Sequence, residues 1–325
     1  MNRNRVMKTI LALLALLVAG LVPVAVVAPG AQAAGGHKHF RVLVGSQTKN
    51  EAIQGMRFLP GRITIDAGDT VAWIANGAEI HTVTFFKGGH HKKKLPAFNP
   101  GNIKQLTRQG GSVYTPKKHF NSGLMTTVPT GQDSGPLPPV PHVQKYRLLF
   151  PHTGRFTYYC LVHGLMMTGT VIVQPHGTAY PKSQDQIDQQ ARADEAALNA
   201  EGRQLRADLR QQSTNHKVFA GDDNGRVMVM RFVRRTVTIH VGQRVRFLNI
   251  GGGAPHTVTF GKEPPPPGLF GPSGDPKHFK GGNLNSGIIG PGGKFTVTFL
   301  KAGTFHYVCA LHDFMGMKGK VVVKH

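Results

Sequence analysis

Cysteine is nearly missing from this chain: two residues in 325. That is too few for a multi-disulfide framework, and no C-x2-C pair is present to suggest a zinc or thioredoxin-type motif. Acidic residues are also scarce, 16 Asp+Glu against 39 Lys+Arg, for a formal charge of +23. Such a field favours acidic partners or anionic surfaces. No nucleic-acid-binding motif accompanies the charge, which excludes that partner class from the reading. Low-complexity disorder over the whole chain is excluded as well, because 40% of the residues are apolar, enough to build cores. At roughly 150 residues per domain, the length suggests about two domains.

One long apolar run exists, Ile10 to Val27, preceded by Arg3, Arg5 and Lys8 and followed by Ala31-Gln32-Ala33. This is the pattern of a secretory signal peptide over residues 1–34. Retention of the segment as a membrane anchor is the alternative, against which Pro23 and the A-x-A site argue. No cysteine lies near the cleavage site for lipid attachment. The expected location is therefore outside the cytoplasm: periplasmic, cell-surface or secreted.

Charge is distributed in blocks. Residues 35–175 carry 16 basic and 5 acidic side chains, residues 218–325 carry 14 and 5, and residues 176–217 carry 6 and 6. The neutral connector reads as a helix, with Ser183 and Gln186 spaced as a capping box. Ile187, Leu198, Leu205 and Leu209 give it only a thin apolar stripe, and Gly202 weakens its middle by about 1 kcal/mol. A spacer lying against one domain is expected.

The flanking blocks repeat one another. Met56-Arg57-Phe58 recurs as Met230-Arg231-Phe232, and RITIDAGDTVAW (62–73) as TVTIHVGQRVRF (236–247). His81-Thr-Val-Thr-Phe85 recurs as His256-Thr-Val-Thr-Phe260, Asn121-Ser122-Gly123 as Asn285-Ser286-Gly287, and residues 154–173 as 303–323. Short alternating runs separated by Gly and Pro predict two all-β domains of sandwich or barrel type. The first copy carries the longer insertion, placed in the Lys/Gly/Pro-rich region from Lys87 to Pro141.

Both cysteines fall at the same point of the repeat, at the end of a strand. The loops that follow read Cys160-x2-His163-x3-Met167 and Cys309-x2-His312-x4-Met317. Phe156, Tyr158 and Cys160 share one strand face, as do Phe305, Tyr307 and Cys309. A thiolate, an imidazole and a thioether on one tight loop, joined by His81 or His256 from elsewhere in the sandwich, can converge on one ion. Two imidazoles and a thiolate with a weak axial thioether suit blue copper, and a thioether is an uncommon zinc ligand. Free thiols in an exported protein are a liability that a buried metal site removes.

These motifs resemble the cupredoxins, blue copper proteins of the plastocyanin, pseudoazurin and amicyanin type. The resemblance covers both blocks, and its most specific element is Cys-x2-His-x(3–4)-Met-x-Gly. It implies two Greek-key β-sandwich domains, 35–175 and 218–325, joined by a helical linker over 176–217. It also implies two type 1 copper ions, one held by His81, Cys160, His163 and Met167, the other by His256, Cys309, His312 and Met317. The x-Gly after each methionine selects Met167 and Met317; Met166 stays open as the alternative in the first copy. Relatives often place Asn after the strand histidine, where Thr82 and Thr257 stand here; Asn76 and Asn249 are candidate substitutes for its bracing role.

The implied function is single-electron transfer between redox partners with acidic docking surfaces, with peripheral association to an anionic membrane or cell-wall surface. It is not an enzyme on this reading. Copper storage or delivery is the alternative, and a two-domain copper oxidoreductase is the less favoured one: such enzymes carry extra copper-binding histidines, often beside the blue-copper Cys, where Tyr159 and Val308 stand. His37, His39, His90, His91, His119 and His278 read as solvated or relic residues rather than ligands.

Overall fold

The computed structural model describes residues 36–89, 93–130 and 140–325. Residues 1–34, assigned above to a signal peptide, and His90 and His91 lie outside them. Among the described residues the architecture is mostly strand, with one long helix, Gln184–Gln212, between two sheet-rich halves.

In the first half, His39–Gln47, Ile53–Leu59, Thr70–Ala75 and Lys145–Leu149 form one layer. The opposing layer is six-stranded: Arg62–Asp66, Gly164–Gln174, Gly154–Cys160, Thr84–Phe85, Phe120–Ser122 and Arg108–Gln109. Alternation along His39–Gln47 sends Phe40, Val42 and Val44 inward, where they are fully buried, as the two-residue period of a strand requires. Trp73, Phe85 and Tyr158 meet between the layers, with Tyr158 edge-on to Phe58 at 4.6 Å. The second half repeats this core with Phe232 and Phe247 around Tyr307, at 4.7 and 5.0 Å. Such aromatic pairs add about 0.5–1.5 kcal/mol beyond their area.

The ring packing also explains the glycine after each methionine. A Cβ at Gly169 would stand 2.2 Å from the Tyr158 ring, and one at Gly319 2.4 Å from the Tyr307 ring. Neither position tolerates a side chain while the tyrosine stays in place.

The halves are joined by a shared sheet. Ile53–Leu59 of the first pairs antiparallel with Val227–Val233 of the second, Val227 opposite Gly55, Met228 opposite Gln54 and Val229 opposite Ile53. Flanking bonds run from Met56 N–H to Arg226 O and from Met230 N–H to Ala52 O, both 2.9 Å. The result is one eight-stranded sheet crossing both halves.

The helix starts where the sequence placed it, with Ser183 as N-cap and the full capping box to Gln186. Its role differs from a spacer. Ala191, Leu198 and Leu209 pack into one cluster with Ile53 and Leu59 from the first half and Phe219, Val227, Val229 and Val233 from the second. The thin stripe suffices because the strands beneath are apolar on this face too. Gly202 is the point of closest approach: a Cβ there would lie 2.1 Å from Ile53 Cγ2. Arg41–Asp188 (2.5 Å) and Arg226–Glu201 (3.1 Å) tie the helix rim to the first and second halves in turn.

Candidate metal centres

Each candidate centre forms where the Gly154–Cys160 strand, or Gly303–Val308 in the second half, runs out at the end of the sandwich. Phe156, Tyr158 and Cys160 all point into the first core, as their shared face predicted. The chain then turns tightly, and in the second copy the loop is pinned by His312 N–H to Cys309 O (2.9 Å) and Cys309 N–H to Met317 O (3.0 Å).

The turn brings sequence-distant side chains together. His81, Cys160 and His163 place their ligand atoms within 4.8 Å of one another, and so do His256, Cys309 and His312. Cys160 Sγ lies 3.4 Å from His163 Nδ1 and 3.9 Å from His81 Nδ1. Cys309 Sγ lies 3.4 Å from His312 Nδ1 and 3.7 Å from His256 Nδ1, and the two Nδ1 atoms are 3.2 Å apart. In both copies the imidazoles turn Nδ1 toward the sulfur. All six residues are buried.

The bracing differs from the candidates named for it. Thr82 N–H donates to Cys160 Sγ (3.4 Å), while Thr82 Oγ1 accepts from Leu161 N–H (2.8 Å). Thr82 Oγ1 also meets Thr84 Oγ1 at 3.0 Å, Thr84 donates to Asn121 Oδ1, and the Asn121 amide caps three loop carbonyls. The second copy reproduces this through Thr257, Ala310, Thr259 and Asn285. Asn76 instead donates to Gly45 O and Glu195 Oε1, and Asn249 to Ala254 O and Ile289 O. The repeated His-Thr-Val-Thr, with both threonines on one strand face, is the signal that carried this.

Two glycines make room for the strand histidines. Gly45 and Gly221 sit at bulges with φ +74°, and a Cβ at either would come within 2.4 or 2.5 Å of His81 Nε2 or His256 Nε2. A left-handed conformation against a ring edge calls for glycine.

Burial sets the protonation states. It pushes His163 and His312 down to about 4. His81 and His256 are driven well below the ordinary imidazole range by burial and then by the neighbouring histidine. All four are thus neutral donors at pH 7. Burial raises both thiols to about 11, partly opposed by the Thr82 and Thr257 backbone N–H groups. A soft cation that displaces the thiol proton would relieve that penalty. The donor set of one sulfur and two neutral imidazoles, dry and facing inward, fits copper.

The methionines sort by burial. Met167 and Met317 are fully buried in the same clusters as the cysteines, whereas Met166 is 38% exposed with its carbonyl accepting from Arg57. Met315 joins a separate cluster with Met56, Met228 and Met230. Of the other described histidines, His37 lies near His176, His119 lies against Phe86, His278 pairs with Asp275, and His142 lines a cavity with His163 and His312. His39 opens the His39–Gln47 strand as an exposed residue. Among the described residues the two triplets are the only such groups.

Glu79 was not anticipated. It is 5% exposed, its Oε1 lies 3.9 Å from His163 Nε2, and burial raises its carboxyl to about 7. Ala254 occupies the matching place, two residues before His256, in the second copy.

Comparison with known proteins adds the following. The model for "Copper binding proteins, plastocyanin/azurin family" matches residues 45–174 and again 216–324. The chain is 32% identical over 107 residues to chloroplastic plastocyanin of Chlamydomonas reinhardtii, 33% of this chain and 66% of that protein. Against chloroplastic plastocyanin of Physcomitrium patens the figures are 31% over 106 residues, 33% and 56%. The chain thus spans less than two thirds of either. Plastocyanin B'/B'' of Nicotiana tabacum is 32% identical over 107 residues, covering 98% of that protein and 33% of this one. Among solved structures, the Cu(I) form of a methionine-to-alanine mutant of amicyanin is similar at 22% identity and TM-score 0.24, over 34% of this chain and 82% of that one.

Proposed function

Since the chain belongs to the plastocyanin/azurin family of copper-binding proteins and matches its domain twice, we propose that it is an exported carrier of single electrons with two type 1 copper sites. His81, Cys160, His163 and Met167 would hold one ion, and His256, Cys309, His312 and Met317 the other. Residues 1–34 direct export, 35–175 and 218–325 form the two copper domains, and 176–217 connects them. The observation that carries this reading is the duplicated, buried His-Cys-His constellation.

Bound copper supplies a reversible one-electron couple between Cu(I) and Cu(II). The protein's part is to keep the donors fixed through that change. Thr82 and Thr257 hold the cysteine sulfur by their backbone N–H and the following loop by their hydroxyl. Such outer partners fix the orientation of a metal ligand. Burial excludes water, and the fully buried Met167 and Met317 would supply the thioether donors. Tyr159 and Val308 beside the cysteines favour a carrier over a copper oxidoreductase. The excess of Lys and Arg suits redox partners with acidic docking surfaces, and contact with an anionic membrane or cell-wall surface.

Copper analysis with a visible spectrum tests the reading. Two ions per chain and an intense red-region thiolate band are expected, with Cys160→Ser and Cys309→Ser each removing about half the colour. One ion per chain at saturating copper, or no such band, overturns it.

A further inference from the structure

A cavity of about 380 Å³ lies between the two halves, and both loop histidines, His163 and His312, line it. Phe98 and Val128 contribute from the first half, and Ile288, Leu311 and Phe314 from the second. The wall is therefore overwhelmingly apolar, and its volume falls in the range of sites for small organic molecules. Its polar members are Thr126, His142, His163, His312 and Glu79, and the last is set apart by its unpaired oxygen. Glu79 lines the cavity, is 5% exposed, and its Oε2 is buried without a hydrogen-bond partner. A buried carboxyl oxygen with no donor is costly to leave unpaired. The position is asymmetric, because Ala254 stands at the matching place in the second half.

We propose that this cavity binds one small, neutral, apolar molecule of the phenol class, its hydroxyl donating to Glu79 Oε2 and its ring against the imidazole edges of His163 and His312. The largely apolar wall disfavours a charged ligand, which would lose its hydration without a counter-charge to replace it. The unpaired acceptor at Glu79 Oε2 selects a hydroxyl over an ether of the same shape. A molecule seated there touches a ligand residue of each proposed centre at once, which no solvent-facing site on either half could offer. That significance rests on the two-copper reading; the binding does not.

Calorimetric titration of the full chain, metal-free and copper-loaded, with 3,5-dimethylphenol and its methyl ether 3,5-dimethylanisole tests this. The phenol is expected to saturate at one molecule per chain in both forms, with the ether at least tenfold weaker. Glu79→Gln keeps an acceptor and should preserve that preference, while Glu79→Leu should abolish it. Val128→Trp and Ile288→Trp, one from each wall, should each weaken the phenol at least tenfold. Absence of saturable phenol binding, equal binding of phenol and ether to the unaltered protein, or unchanged affinity in both tryptophan variants overturns the proposal. Phenol binding to a chain that takes up no copper would leave this site standing and remove the copper reading instead.

Discussion

Replacing Thr82 by valine isolates the hydrogen bond that fixes the loop after Cys160. Valine keeps the β-branched shape and the backbone N–H that reaches Cys160 Sγ at 3.4 Å. It removes the acceptor for Leu161 N–H, now 2.8 Å away. Leu161 is 4% exposed, so water does not take the acceptor's place. Thr84 retains its own bond to Asn121 Oδ1 at 3.0 Å, which limits the damage to one orphaned donor. Such a donor costs about 1–3 kcal/mol, and the added methyl in apolar surroundings returns up to about 0.8 kcal/mol. A net loss of roughly 1–2 kcal/mol is expected. Urea unfolding of the metal-free protein measures it, and the exchange rate of the Leu161 amide locates it. Thr82→Ser restores the acceptor, so that amide should stay protected although the variant loses a buried methyl. Thr257→Val, with the same 2.8 Å bond from Ala310 N–H, should cost the same within about 1 kcal/mol, the two losses adding because the sites share no partner. Stability within about 0.5 kcal/mol of the parent, together with unchanged Leu161 exchange, would refute the reasoning.

Met167→Gln and Met317→Gln should each lower the reduction potential of one copper site, since an oxygen donor favours Cu(II), whereas Met166→Gln should change it little; spectroelectrochemistry reads all three, and a shift in Met166→Gln alone moves the first-site assignment by one residue. Acid should destabilise the metal-free protein. The unfolded chain protonates its four site histidines near the ordinary imidazole pKa of about 6.5, while the folded chain refuses protons on His163 and His312 until about 4, and on His81 and His256 still longer. Their contribution is full above pH 6.5 and falls as pH drops toward 4, by roughly 3 kcal/mol for each of the first two; Glu79, raised to about 7, works the other way as one group against four. Urea midpoints that rise between pH 7 and 5 would contradict this. Gly202→Ala gains about 1 kcal/mol of helix propensity but drives a Cβ to 2.1 Å from Ile53 Cγ2, so the melting temperature should fall, whereas the same change made in an Ile53→Ala background should raise it relative to Ile53→Ala alone.

The metal centres were legible in the sequence because three of four donors in each lie on one short loop and the pattern occurs twice. A Cys-x2-His-x(3–4)-Met loop needs no long-range contact to be recognised, and only the strand histidine had to be supplied by the repeat. The choice of Met167 over Met166 rests on the glycine two residues on, because the register breaks between Gly164 and Thr168, and Leu165 and Met166 are both exposed. What joins the halves was harder to read. VMVMRFV is buried at every position, and such a run, apolar except for Arg231, marks a strand covered on both faces, but the run does not say which strand lies beside it. The helix stripe looked thin because its apolar partners come from two distant segments, and Gly202 looked like a defect because the strand it approaches is invisible along the helix itself. Glu79 and the cavity arise from the docking of the two halves, which no local pattern encodes.

The strand pairing at the junction has a further meaning. The repeat equates Ile53 with Val227, Gln54 with Met228 and Gly55 with Val229, counting back from the shared Met-Arg-Phe. In the sheet, Ile53 faces Val229, Gly55 faces Val227, and Gln54 faces Met228. Every pairing is thus reciprocal, the signature of an isologous two-fold contact. Arg57 reaches Gly225 O across the junction and Arg231 reaches Asn50 O in return. The two halves thus meet as a pseudo-symmetric pair about the β-junction, with the Gln184–Gln212 helix connecting them. Either half made alone would expose that unpaired edge and its apolar face, and the partner best shaped to cover them is a second copy of itself.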